Sequence, residues 1–272
     1  MKLSSPERTI ELTQSSPYER HADGRPRVPD DILQRMQKVT TEEAYEGIGD
    51  FRNQFDGDWT ILHPERTMVG RALTCRFVPK RPDLHDLVEA EGKANGNTGF
   101  HNSWVIDMLQ PGDVLVVELF GKIELGTFIG DKLGTGIATR TGGTGLVVDG
   151  SIRDYQRVVK LNMNVFTRGL HPSGIGEVTL AEINGPVRIG QATVLPGDVV
   201  LGTPTGLMFI PPIHALQVVE KSEVVRRRDY FGKMRIREGI YPSGEMDSAF
   251  TEAMEADFEA WQSSVDMDSL DL

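Results

Sequence analysis

The sequence predicts an α/β protein. Short apolar stretches with strand-like composition alternate along the chain with stretches of helical periodicity. Nine of the 29 glycines fall between residues 121 and 150, in the middle of this pattern. Because glycine lets neighbouring backbones approach closely, we expect the centre of the chain to be the place where the elements meet.

The two periodicities locate the individual elements. Strands are expected at 69–78, 114–119, 146–149, 164–167, 187–194, 198–201 and 207–210. Helices are expected at 83–92, 102–109, 131–140, 154–161 and 212–228, and residues 30–47 also have helical spacing. The segments Pro111–Val114 and Pro196–Val199 both read Pro-Gly-Asp-Val. We interpret them as one turn solution used twice, since two copies do not establish a duplicated unit.

The two ends of the chain differ from the domain predicted at 29–228. Residues 1–28 are polar and proline-containing, which predicts an N-terminal arm that is ordered against a neighbouring subunit. Residues 229–272 predict a loop followed by a terminal amphipathic helix, because large apolar residues recur there every three to four positions. We expect this tail to pack across a subunit boundary.

Composition excludes several classes of protein. A net charge of −11 over 272 residues argues against a nucleic-acid partner, because phosphate neutralisation needs clustered Lys and Arg. The single cysteine, Cys75, excludes an intrachain disulfide and lies in a strand-like run as a buried hydrophobe. No apolar run approaches the roughly 20 residues that span a bilayer, and the polar start lacks the apolar segment of a signal peptide. We therefore expect a cytoplasmic protein without a membrane partner.

The stretch from Gly126 to Asp154 carries the candidate site. Gly130 and Asp131 lie where a loop is expected to become a helix, and Arg153 and Asp154 follow the strand at 146–149. The start of a helix has free N–H groups and a partial positive charge, which suit an anion. The two pairs could therefore bind a small carboxylate and a divalent metal side by side.

Each side chain has a chemical role and a structural alternative. Arg153 offers a planar fork for a carboxylate, and Asp154 offers hard oxygen ligands for Mg²⁺ or Mn²⁺; a surface ion pair is the alternative. Asp131 could hold a metal-bound water or simply cap the helix. Glu43 is a candidate general base or a solvent-facing helix carboxylate. His171, after the strand at 164–167, could line the site or have no role.

Other chemistries lack their motifs. The run GTFIGDK departs from the P-loop pattern, and GTGIAT lacks the last glycine of a dinucleotide-binding loop and precedes its strand. The six histidines contain no H-E-x-x-H and no close pair, so a zinc site is not predicted. No G-x-S-x-G elbow is present for a serine nucleophile.

Several of these motifs recur together in a known family. The runs LQPGDVLVV, GD…GLVVDGSIRD, MNVFTRG and LPGDVVLG, over roughly residues 35–220, resemble the RraA-like family, which includes class II pyruvate aldolases. The resemblance implies a β/β/α three-layer swivelling domain. It also implies a homotrimer or a dimer of trimers with sites between subunits.

The resemblance further implies roles for individual residues. Arg153 would bind the pyruvyl carboxylate and Asp154 would ligate Mg²⁺. The turn at residues 130–133 (Gly130, Asp131, Lys132 and Leu133) would supply backbone amides and, through Asp131, a water-mediated metal contact. Glu43 would reach the site from a neighbouring subunit.

The chain also departs from the family pattern. It has one residue more than the family's aldolases between Asp131 and Arg153, 21 in all. Residues 203–206 read Thr-Pro-Thr-Gly in place of an acidic segment, and Lys132 replaces an apolar residue. These differences leave the substrate open.

The function expected is a divalent-metal-dependent lyase that cleaves a 4-hydroxy-2-oxo acid to pyruvate, with oxaloacetate decarboxylation as a side activity. Two alternatives remain. One is a dehydratase or hydrolase acting on a 2-oxo acid derived from a sugar acid. The other is a non-enzymatic regulator of ribonuclease activity.

Overall fold

The computed structural model describes residues 2–265 as a mixed α/β fold. Its helices are α1 (Pro6–Leu12), α2 (Asp30–Met36), α3 (Thr41–Gly47), α4 (Pro82–Ala94), α5 (His101–Ile106), α6 (Asp131–Thr141), α7 (Tyr155–Val158), α8 (Pro212–Arg237), α9 (Ser243–Met246) and α10 (Glu252–Ser264). Its strands are β1 (Phe55–Asp56), β2 (Thr60–Ile61), β3 (Met68–Pro79), β4 (Asp113–Ile129), β5 (Gly145–Ile152), β6 (Asn164–Leu170), β7 (Val178–Ile183), β8 (Val187–Ile189), β9 (Ala192–Val194), β10 (Val199–Thr203) and β11 (Gly206–Ile210). Within residues 2–265, no helix combines the length and apolarity needed to cross a bilayer.

Four parallel strands form the middle of the main sheet. Its order is β1-β11-β10-β3-β4-β5-β6-β2, and β7 pairs with the C-terminal half of β3. The pairs β3–β4, β4–β5 and β5–β6 are parallel, while the outer pairs are antiparallel. Helices lie between successive parallel strands along the chain, as parallel pairing requires. The carboxyl ends of β4, β5 and β6 therefore meet at one edge of the sheet.

Layers on both faces bury this sheet. On β4, Leu115 and Val117 face the core shared with α4, α5 and α6. Val114 and Val116 alternate with them and face the hairpin of β8 and β9. Because both faces are covered, the strands are continuous apolar runs and do not alternate with polar residues. A third cluster packs α2, α3 and α8 on β10 and β11. The predicted three-layer α/β fold is confirmed.

Several elements differ from the sequence predictions, and three of them are divided or continued differently. Residues 30–47 form two helices, because Thr40 begins α3 with a reciprocal cap: its hydroxyl accepts from the Glu43 N–H, and the Glu43 carboxylate accepts from the Thr40 N–H. Residues 187–194 form two strands, since Gly190 turns the chain at φ +57°. The strand expected at 114–119 continues to Ile129 through an exposed excursion near Phe120 and Leu125, both at positive φ.

The N-terminal arm packs on its own chain. Leu3 is buried, and its carbonyl accepts a hydrogen bond from the Ile183 N–H of β7 at 2.7 Å. Arg25 is fully buried and pairs through both terminal nitrogens with the carboxylate of Asp113, at 2.8 and 2.9 Å. Its Nε also pairs with Asp23. A neighbouring subunit is therefore not needed to order the arm.

The C-terminal tail also packs on its own chain. Helix α8 is longer than the predicted 212–228, and its last turns carry Phe231, which is buried against Phe258 and Trp261 of α10. Arg235 of α8 forms an ion pair with Asp257 of α10. The predicted amphipathic helix is present, and its apolar face packs on the last turns of α8. Residues 266–272 lie outside the described residues.

We expect Arg25→Leu to destabilise the fold by about 3–5 kcal/mol, because it leaves the buried carboxylate of Asp113 without its cation. Urea denaturation measures the free energy of unfolding. The control is Arg27→Leu, an exposed arginine 3.9 Å from Asp30, for which we expect about 0.5 kcal/mol or less. Adding Asp113→Asn to Arg25→Leu should recover part of the loss; no recovery would mean that packing, and not charge, dominates.

Candidate active site

The ends of two parallel strands bring the candidate residues together. Ile129 at the end of β4 is in register with Ile152 at the end of β5, and the Arg153 N–H donates to the Ile129 carbonyl at 3.0 Å. The chain then enters α6 through Gly130 and α7 through Asp154. This edge, at the carboxyl ends of parallel strands, is where α/β proteins commonly bind ligands.

Gly130 allows the two strand ends to approach. A Cβ atom built on Gly130 would overlap the Asp154 Oδ2 atom and would lie 3.1 Å from the Arg153 Nε atom. The φ of Gly130 is −116°, a value that any residue can adopt, so close approach and not backbone freedom requires glycine here. Gly130, Arg153 and Asp154 therefore share one small space.

The Arg-Asp pair is open to solvent. Asp154 lies in the left-handed region at φ +55°, which aspartate tolerates better than most residues. Its Oδ2 atom is 3.6 Å from Arg153 Nε, and the two side chains are 38% and 47% exposed. At this distance the pair is loose, so both groups keep hydrogen-bonding capacity for a ligand.

The carboxylate of Asp131 already has two hydrogen-bond partners, which the sequence did not indicate. Gly130, and not Asp131, is the N-cap of α6. One carboxylate oxygen of Asp131 accepts from the Lys132 N–H at 3.0 Å, and the other is 3.2 Å from Arg157 Nη1 on α7. The amide of Lys132, predicted to face a bound anion, is therefore already bonded to the Asp131 carboxylate.

Arg157 was not among the sequence candidates, although it lies only three residues beyond Asp154. Its side chain is 75% exposed and its ion pair links α7 to the start of α6. The spacing D-x-x-R after β5 could have pointed to Arg157 in the sequence. Its partner, Asp131, is identified only by the packing of α7 beside α6.

The loop after β6 lies beside Arg153 and the end of β5. The His171 N–H donates to the Ile152 carbonyl at 3.1 Å, and the Cα side of Gly174 faces Arg153, since an added Cβ would lie 3.9 Å from Nη1. His171 Nδ1 accepts from the Ser173 N–H at 3.2 Å, which assigns the proton of a neutral ring to Nε2. His171 therefore lies beside the end of β5, as the sequence suggested.

Glu43 lies elsewhere on its own subunit. Its carboxylate accepts from the Thr40 N–H and from the Ser222 hydroxyl of α8 at 2.7 Å. Helix α3 packs on β10 and β11, and three strand spacings separate β10 from β5, or roughly 14 Å. The structure therefore does not bring Glu43 to the Arg153 cluster of the same chain.

Three possible metal ligands lie together away from Arg153 and Asp154. Ligand atoms of His85, Glu89 and His101 are within 4.8 Å of one another. The sequence contains no closely spaced histidine pair, but the fold brings His85 and His101 together. However, His101 Nδ1 accepts from the Leu180 N–H, which leaves the proton on Nε2, 3.0 Å from the Glu89 carboxylate. Burial lowers the pKa of His101, opposed by the charge of Glu89. These contacts describe a neutral histidine that bridges β7 and α4.

The donor set at the strand ends fits a hard divalent cation better. Asp154 and Asp131 offer carboxylate oxygens, which Mg²⁺ and Mn²⁺ prefer, and their side chains are 38% and 31% exposed. Mg²⁺ commonly keeps several waters and takes few protein ligands. The open position of Asp154 is compatible with that coordination.

The chain is similar to several known proteins. The chain is 30% identical over 174 residues to the protein DlpA of Legionella pneumophila, and 30% identical over 130 residues to a Halalkalibacterium halodurans protein named "Putative 4-hydroxy-4-methyl-2-oxoglutarate aldolase". These matches cover 63% and 48% of this chain, but they span only 26% and 61% of the respective relatives.

A solved structure is also similar. It is that of Streptomyces coelicolor RraAS2, described as an unusual member of the RNase ES inhibitor RraA protein family. The TM-score is 0.65 with 26% identity, and the match covers 80% of this chain and all of that one. The RraA-like family, described as Aldolase/RraA, matches residues 41–209, well over half of the chain. The chain belongs to the RraA-like family.

Proposed function

We propose that this protein is a divalent-metal-dependent lyase that cleaves a 4-hydroxy-2-oxo acid to pyruvate. The observation that carries the proposal is the shared space of Gly130, Arg153 and Asp154 at the ends of β4 and β5. A cationic fork and a hard anionic ligand lie side by side there. A 2-oxo acid uses both groups. The guanidinium pairs with its carboxylate, and the anionic ligand would hold the divalent cation that polarises its ketone oxygen.

The residues at the ends of β4 and β5 have different roles in this proposal. Arg153 pairs with the substrate carboxylate, and the backbone at Gly130 and Leu133 orients it at the start of α6. Asp154 would hold Mg²⁺ or Mn²⁺ directly, and Asp131 would do so through water. A bound cation supplies a Lewis acid that stabilises negative charge on the 2-oxo oxygen. A base removes the proton of the C4 hydroxyl, and the C3–C4 bond breaks as the C4–oxygen bond becomes the carbonyl of the second product. The electron pair of the broken bond forms the enolate of pyruvate, which is then protonated at C3.

An assembly of subunits supplies the missing base in this proposal. Glu43 is remote from Arg153 within one chain, yet both lie beside exposed apolar side chains. Tyr155 is 41% exposed near Arg153, and Val224 is 46% exposed near Glu43. Apposing the two surfaces in a homotrimer, or in a dimer of trimers, would bury both and would bring Glu43 of one subunit toward the cluster of the next.

A second outcome of the same chemistry is dehydration or hydrolysis of a 2-oxo acid derived from a sugar acid. It is favoured by the turn between β10 and β11, where Thr203 is hydrogen-bonded to Thr41 of α3 and no carboxylate lies at residues 203–206. The acidic segment that the family resemblance implies at this turn is therefore absent. Product analysis distinguishes these outcomes from aldol cleavage.

The third candidate is a regulator that binds a ribonuclease, which the similarity to a member of the RNase ES inhibitor RraA protein family supports. The net charge of −11 would suit a basic partner surface. Capture of RNA-degradation proteins, together with no turnover of any 2-oxo acid, would favour it over the lyase.

The assay that tests the lyase measures pyruvate release from a panel of 4-hydroxy-2-oxo acids and from oxaloacetate. We expect turnover with Mg²⁺ or Mn²⁺ and its loss with EDTA, restored when the cation is added back. Turnover that is unchanged by EDTA would contradict the assignment of Asp154 as a metal ligand.

We expect Arg153→Lys to lower kcat/KM by the equivalent of about 2–5 kcal/mol, since lysine keeps the charge but loses the bidentate geometry. The matched control is Arg140→Lys, an exposed arginine of α6 that pairs with Asp107 and should leave kcat/KM unchanged. Equal activity of Arg153→Lys and the unsubstituted protein would refute the role of Arg153.

We expect Gly130→Ala to weaken metal-dependent turnover at least tenfold, because its Cβ needs the space of the Asp154 carboxylate. The control is Gly136→Ala in α6, where an added Cβ lies 3.4 Å from Ile106 and helix propensity rises by up to about 1 kcal/mol. Thermal unfolding of both variants shows whether the fold is kept. A fully active Gly130→Ala protein would mean that the close approach is not needed for catalysis.

A further inference from the structure

A cavity of about 270 Å³ lies between the N-terminal arm and the start of α8. The described residues of its wall include Leu12, Ser15, Phe51, Gln54, Asp198 and Ile213. Asp198 is the one charged side chain among the described residues of the wall. It precedes β10 at the edge of the sheet where β4 begins, whereas Arg153 and Asp154 lie at the opposite edge. The cavity is therefore separate from the candidate active site.

Asp198 is a buried carboxyl group without a described cation. It is 2% exposed, and its Oδ2 atom accepts a single backbone hydrogen bond, from the Leu195 N–H at 2.8 Å. Burial raises the pKa of Asp198 to about 7, although the Leu195 hydrogen bond opposes the rise. Buried charges in proteins are normally paired, so the ionised form of Asp198 lacks the partner that such a group requires.

The other Pro-Gly-Asp turn of the chain shows what that partner can be. Asp113 makes the same local bond, since its Oδ2 atom accepts from the N–H of Gln110, three residues earlier, at 2.9 Å. Its carboxylate is also fully buried, but there the guanidinium of Arg25 pairs with both oxygens. The two turns thus share sequence and hydrogen bonding and differ in the cation: a guanidinium fills the position at Asp113, and a cavity adjoins Asp198.

We propose that this cavity binds a compact organic cation, a guanidinium or primary ammonium group on a short apolar body, with its charged end on Asp198. Leu12, Phe51 and Ile213 supply apolar contact for the body of the ligand. Thr13 and Gln54 also line the cavity. The volume is near the lower bound of about 300 Å³ for small-molecule sites, which favours a ligand of few non-hydrogen atoms.

The test uses two probes of nearly the same shape: butylguanidinium, which is cationic, and butylurea, which is neutral. Calorimetric titration of the full chain at pH 8 should give saturable binding of butylguanidinium, with butylurea at least tenfold weaker. Asp198→Asn keeps the acceptor for the Leu195 N–H and should reduce butylguanidinium affinity at least tenfold. Ser15→Phe, at the exposed rim, should do the same by filling the cavity, while circular dichroism checks that each variant is folded.

Comparing the affinity for butylguanidinium at two pH values separates pairing with the Asp198 carboxylate from apolar binding in the cavity. With a pKa of about 7, the free carboxyl is mostly protonated at pH 6 and mostly ionised at pH 8, so affinity should be about tenfold weaker at pH 6. Binding at pH 6 should also release nearly one proton, seen as a dependence of the heat on the buffer. Asp50→Asn, an exposed aspartate in the loop before β1, is the control and should change neither result.

Saturable binding of butylguanidinium that depends on Asp198 supports the proposal. No saturable binding at millimolar probe overturns it. Equal affinity for butylurea, or an unchanged affinity in Asp198→Asn, would also overturn it.

Discussion

The close approach of β4 to β5 at their carboxyl ends is the constraint on which the site depends. The parallel register places Ile129 beside Ile152, and the next residues of each strand, Gly130 and Arg153, then face each other. A side chain at residue 130 would push the Asp154 carboxylate away. The fold thus holds a guanidinium and a carboxylate at one edge without a tight ion pair between them, and this leaves both available to a substrate and a cation.

Buried charge organises the opposite edge of the sheet. Arg25 from the arm reaches the first residue of β4, and its pairing with Asp113 ties the N-terminal segment to the central strands. The paired carboxylate at Asp113 and the solitary one at Asp198 show that one local turn can have two electrostatic outcomes. The difference comes from which side chain of the arm meets each turn, since Arg25 pairs with Asp113 whereas Pro26 packs against Gly197 beside Asp198.

The predictability of each element follows its burial. Strands β3, β5 and β10 were found because both of their faces are covered, which leaves long apolar runs. Strand β7 was missed, since Ala181 and Glu182 interrupt its apolar pattern and its pairing with β3 is a long-range contact. The second half of β4 was missed because Gly121, Lys122 and Glu124 interrupt its apolar pattern and residues 120–125 are largely exposed. The hairpin of β8 and β9 was read as one strand because Gly190, the turn residue, resembled an interruption within a strand.

By itself, the sequence determined the α/β class, the family motifs and the chemical types at the candidate site, because apolar periodicity, glycine and the Arg-Asp pair are local properties of the chain. Tertiary structure alone decided which groups meet. It joined Asp131 to Arg157, placed the loop of His171 beside Arg153, and kept Glu43 on another part of the subunit. These relations depend on strand register and helix packing, which are fixed by long-range contacts that no short stretch of sequence contains.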